Sequence, residues 1–166
     1  MKNKGTVKFF ALILSLTLIL GLCGCQVSTA PSTSQVENKS TPEKILAEIK
    51  KDCTLPDMRN ISEDQLDVLY GIDKSYIAYF AGCVATDSLS KDEIIIIEAM
   101  DEGEANTIRD RLQNHYDKLL EECKEYLPEE YKIIKKCSVV KEGIYISLFI
   151  SSEADKMTDI FNSYIA

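Results

Sequence analysis

The sequence predicts an α+β domain: an antiparallel sheet of about four strands built from two hairpins, each followed by a helix, with short helices at its N-terminal end. Three observations carry this. Tyr76 to Ala85 and Glu93 to Met100 are two runs rich in β-branched and aromatic residues, separated by a polar turn from Asp87 to Asp92. Ser138 to Val140 and Ile144 to Ile150 repeat the arrangement around a Glu142-Gly143 turn. After each hairpin, apolar residues recur at three- and four-residue steps, the spacing of one helix face. Such an alternation points to an antiparallel sheet with helices packed mainly on one face.

The first helix opens at Thr41-Pro42-Glu43, with Thr as N-cap, Pro at the first helical position and an acid in the first turn. Ile45, Leu46 and Ile49 then share one face. Leu55-Pro56-Asp57 breaks it, and Ser62 with Gln65 forms a capping-box pattern for a brief second helix carrying Leu66 and Leu69 and ending at Gly71. Within the first hairpin, Ile94 to Ile97 are consecutive isoleucines without alternation, which predicts a strand buried on both faces or central in its sheet. Asp101, Glu102 and Glu104 crowd the start of a long helix, where negative charge meets the positive end of the helix dipole. Ala105, Ile108, Leu112, Tyr116, Leu119, Leu120 and Cys123 form its apolar stripe, so it should run to about Tyr126. Lys118 with Glu122 and Glu121 with Lys124 are placed to pair along its outer side. Pro128 starts a further turn through Ile134. Ser151 or Ser152 should cap a last helix carrying Met157, Ile160, Phe161 and Tyr164. The two halves share no residue pattern that would mark an internal repeat.

Ahead of this domain stands an address. Lys2, Lys4 and Lys8 precede an apolar run from Phe9 to Leu22, too short for the roughly 20 apolar residues a spanning helix needs. The run ends in Leu22-Cys23-Gly24-Cys25, the pattern of a bacterial lipoprotein signal. Residues 1–24 therefore read as a signal peptide and Cys25 as the lipidation site. Its thiolate is the soft nucleophile that accepts a diacylglyceryl group as a thioether. Cys23 is the weaker acceptor, because Leu22 stands before it where cleavage wants a small residue. Residues 25–40 are Ser, Thr, Gln, Asn and Pro with few apolar side chains, a composition that cannot form a core. They read as a tether reaching at most about 50 Å when extended. Residues 41–166 have the length of one ordinary domain. The expected location is the extracytoplasmic face of the cell membrane, with the membrane engaged through the lipid anchor.

Formal net charge is −8, and the leader contributes lysines but no acid, so the mature chain is more acidic still. Such a surface is repelled by phosphate backbones and by anionic headgroups, which argues against nucleic acid. The lipobox, the Ser/Thr-rich tether, Leu69-Tyr70-Gly71-Ile72, Asp92-Glu93-Ile94, Tyr126-Leu127-Pro128-Glu129-Glu130-Tyr131 and Gly143-Ile144-Tyr145 together resemble the domain of unknown function 4358 family. The resemblance covers Thr41 to Ile165 and implies a small lipoprotein of low-GC Gram-positive bacteria. It brings no activity and no catalytic residue. Where that family commonly has Gly-Asn-Tyr, this chain has Gly143-Ile144-Tyr145.

Chemistry is sparse. The chain lacks a glycine-rich phosphate loop, zinc-finger cysteine spacing in its mature part and an EF-hand loop, so neither a metal nor a cofactor is implied. His115 is the only histidine, one residue off the apolar stripe, and reads as a boundary residue of the helix rather than a base. No two carboxylates are paired by spacing. Tyr126 to Tyr131 is the densest stretch for a recognition loop, against the plainer reading that Leu127 and Tyr131 fix the long helix to its neighbour. Cys53, Cys83, Cys123 and Cys137 face an oxidising compartment, where Cys123 with Cys137 is the pair best placed to bridge. Four buried thiols are the equal alternative. Side chains two apart share a sheet face, so Tyr145, Ser147 and Phe149 point together, as do Ile77, Tyr79 and Ala81. If helices cover only one face, Tyr79, Tyr145 and Phe149 form an interaction surface; if the first helices cap the other face, they are core. The functional expectation is a lipid-anchored extracytoplasmic binding or accessory module with a protein or cell-envelope partner, and not an enzyme. The alternative is a cell-envelope enzyme using a carboxylate or thiol site.

Overall fold

The computed structural model describes residues 40–166; residues 1–39, with the expected signal peptide, Cys25 and most of the expected tether, lie outside them. In chain order the elements are α1 (Thr41–Asp52), β1 (Met58–Asn60), α2 (Asp64–Tyr70), a 3-10 turn (Lys74–Tyr76), β2 (Ile77–Ala85), β3 (Glu93–Ala99), α3 (Glu102–Tyr126), α4 (Pro128–Ile134), β4 (Val139–Glu142), β5 (Tyr145–Ile150) and α5 (Ala154–Ile165). The fold is α+β, with all strand pairs antiparallel in the order β1-β2-β3-β5-β4.

The helix ends follow their residues closely. Ser40 rather than Thr41 caps α1: the Glu43 N–H donates to its hydroxyl at 3.5 Å, and its own N–H donates to the Glu43 carboxylate at 2.8 Å. That closes a reciprocal box with Pro42 in the first turn. Half a box stands before α2, where the Ser62 N–H donates to the Gln65 side chain at 3.0 Å. The sheet has five strands rather than about four, because Met58–Asn60 adds an edge strand against Cys83–Ala85. Three residues are too few to show a period.

Strand β3 is the centre of the sheet, pairing with β2 on one side and β5 on the other. Ile94, Ile95, Ile96 and Ile97 are all fully buried, as unbroken apolarity requires. The pleat sends Glu93, Ile95 and Ile97 to one face, where α3 lies across β3, β4 and β5. Ile94 and Ile96 go to the other, beneath α1 and α5. These two helices are tied together: the Thr54 N–H donates to Glu153 at 3.0 Å, and the Lys156 ammonium donates to the Asp52 carbonyl.

Of the two alternatives for the second sheet face, the structure has the covered one. Helices lie on both faces, because the row of Ile94, Ile96 and Phe149 is matched by the apolar side of α5. Phe149 meets Phe161 edge-to-face with ring centroids 6.0 Å apart, and Ser147 is fully buried. Tyr145 is half-buried and packs against the core. Of the proposed interaction residues only Tyr79, 53% exposed beside a β-bulge, remains open. Phe149→Ala should therefore cost about 3–5 kcal/mol of stability, whereas Tyr79→Ser should change it by no more than about 0.5 kcal/mol. Urea denaturation of both variants checks this, and equal losses would contradict the layer assignment.

Candidate functional site

Glu93 opens β3 and is the only charged residue among the described ones that is buried, at 7% exposure. A carboxylate removed from water needs a compensating partner. The partner comes from α3, which crosses this face with Leu112 and Tyr116 turned inward. His115 sits at the margin of that stripe, and its Nε2 lies 3.1 Å from Glu93 Oε2. Against an ionised carboxylate this nitrogen must carry the hydrogen and donate. Glu93 Oε1 is buried with no hydrogen-bond partner.

Tyr70, the last residue of α2, completes the cluster. Its ring meets the His115 ring edge-on, with centroids 4.7 Å apart and an interplanar angle of 70°. Burial first, then the charge and proximity of Glu93, push the phenol well above its ordinary pKa, so it stays neutral. Gly71 ends α2 at φ 68°, a left-handed conformation suited to glycine. The Arg111 side chain packs beside this turn, its Cδ 4.0 Å from where a Gly71 Cβ would stand.

Over the cluster lies a recess of about 570 Å³, walled by Asp67 to Gly71 on one side and by Arg111, Asn114, His115 and Lys118 on the other. Arg111, His115 and Lys118 follow at steps of four and three and so share one side of α3. Among the described residues no acidic side chain pairs with Arg111 or Lys118. The expected pairing of Lys118 with Glu122 is not made; Glu122 is instead engaged by Lys91 at 3.7 Å. Nor does Glu121 pair with Lys124. A second recess of about 350 Å³ runs between α1 and β2, but it holds no buried charge and its Lys50 is bonded to Asn60 at 2.8 Å.

The other candidate residues are spread through the packing. Cys123 and Cys137 are free and buried in the structure, as are Cys53 and Cys83. The Cys137 thiol donates to the Ile133 and Ser151 carbonyls at 3.6 and 3.7 Å. Burial pushes all four thiols up, which makes them poor nucleophiles. Leu127 and Tyr131 pack against the core, while Tyr126 is 73% exposed. Among the described residues no group of three or more His, Cys, Asp or Glu is placed to hold a metal ion, and no helix is long and apolar enough to cross a membrane.

Residues 51–151 match the family model described as Domain of unknown function (DUF4358). The chain belongs to this family. The DUF4358 match takes in every strand of the sheet and Tyr70, Glu93, Arg111, His115 and Lys118 together. The family description assigns no activity. No curated protein and no solved structure matches the chain.

Sequence reasoning placed His115 at a helix boundary but missed Glu93 and Tyr70 as its partners. The available signal was a carboxylate leading directly into four isoleucines, a position that drags it into the core. If Glu93 is held by His115, His115→Ala should cost roughly 1–3 kcal/mol by stranding a buried carboxylate. Adding Glu93→Gln to that variant should recover part of the loss. Urea denaturation reads both, and a second, additive loss in the double variant would contradict the pairing.

Proposed function

We propose that this protein is a lipid-anchored binding or accessory module at the extracytoplasmic face of the cell membrane, with the recess beside His115 as its ligand seat. The location rests on Leu22-Cys23-Gly24-Cys25 following a basic and then apolar leader. Two acyl chains on Cys25 make a stable anchor, where one alone holds only marginally. The binding role rests on one observation: a buried carboxylate fixes an imidazole beneath a polar recess in which Arg111 and Lys118 have no ion-pair partner among the described residues. Burying Glu93 costs stability that an apolar residue would not, so its retention is best explained by what it holds in place.

A second reading, a cell-envelope enzyme, draws on the same pair, since a carboxylate that orients an imidazole is the arrangement of a general base. It is the weaker one. No Ser, Thr or Cys lines the recess, and Tyr70 is held neutral. A thiol mechanism is weaker still with every described cysteine buried.

Metabolic labelling with a fatty-acid probe tests the anchor. The label should be lost in Cys25→Ser, which should be unprocessed or shed from the membrane, and retained in Cys23→Ser. Labelling that survives Cys25→Ser would overturn the location.

A further inference from the structure

We infer that the recess beside His115 takes the oxyanion of its ligand, a phosphate or carboxylate group, on the Arg111, His115 and Lys118 side of α3; this rests on the binding role proposed above. The chain is acidic overall, yet this wall presents two full positive charges and an imidazole within two helical turns. Of the other cations on this helix, Arg109, on its opposite side, is engaged by Asp110 at 2.7 Å, and Lys124 lies outside the recess. Lys118 does not pair with Glu122, which Lys91 engages. Arg111 carries a planar fork suited to two oxygens of one anion, and Lys118 adds a point charge.

The groups facing the imidazole come from every element packed around it. Glu93 comes from β3 and Tyr70 from α2; Arg111 and Lys118 lie on its own helix; Asp67 is the one acid in the opposite wall. Glu93 occupies Nε2, which leaves Nδ1 as the ring nitrogen free of that contact. A bound oxyanion and Glu93 then lie on either side of one ring, which can present an N–H to each. The buried carboxylate is thus a positioning residue. It fixes the ring that faces the ligand.

The test is a titration of the full chain in detergent micelles with inorganic phosphate, following the His115 ring signals by NMR. A saturable shift is expected, weakened at least tenfold in Arg111→Gln/Lys118→Gln and unchanged in Lys124→Gln, an exposed lysine of α3 outside the recess. All three positions are exposed, and circular dichroism checks that the variants are folded. Co-sedimentation with phosphatidylglycerol vesicles, against phosphatidylcholine, names the source. Capture that requires Arg111 and Lys118 assigns the oxyanion to a lipid headgroup; phosphate binding without such capture assigns it to a soluble ligand. The absence of any His115 shift, or a shift equal in the double variant, would overturn the inference. The anchor assay reads location independently and is untouched by that failure.

Discussion

Everything in this fold hangs on β3 being covered on both faces. Four isoleucines in succession leave no solvent side, so the sheet cannot be a one-faced sheet with helices on a single layer. One face must take α3, and the other must take α1 and α5. The same strand starts with Glu93, and its register places that carboxylate on the α3 side, in line with Ile95 and Ile97. Covering the strand therefore buries a charge. The long helix that covers it supplies the answer in His115. Core and candidate site are two consequences of one burial event.

Much of this was legible in the residues. The Ile94 to Ile97 run named the central strand, the stripe from Ala105 to Cys123 named α3, and Pro128 and Gly71 marked their turns. What failed to show was whatever depends on contacts distant in sequence. β1 is three residues long and exists only because β2 offers an edge. The second helical layer stayed one of two alternatives because an apolar row such as Tyr145, Ser147 and Phe149 looks the same whether a helix or solvent lies above it. Neither expected pair along α3 forms; Lys91 reaches Glu122 from outside the helix, and no helix-local rule anticipates that.

The site was the least legible part. His115 is separated by 22 residues from Glu93 and sits one position off its own helix stripe, so periodicity marks it only as a boundary. Tyr70 looked like the end of a short apolar helix. Only the crossing of α3 over the start of β3, with α2 tucked beside it, turns three unremarkable residues into a desolvated cluster under a polar recess. That cluster gives an acidic, family-assigned but functionally unassigned domain a place where recognition can be localised. On the proposed reading, recognition needs no deep cavity. It needs a rigidly held polar group beside uncommitted charge, and a strand buried on both sides supplies the rigidity.

The most direct measurement of this account is the protonation pattern of the His115 ring, read by long-range proton–nitrogen NMR correlation in the full chain at a pH where the ring is neutral. The account predicts a single tautomer with the hydrogen on Nε2, donated to Glu93, and a changed nitrogen signature in Glu93→Gln. A hydrogen on Nδ1, or a ring spectrum indistinguishable between the native chain and Glu93→Gln, would contradict it.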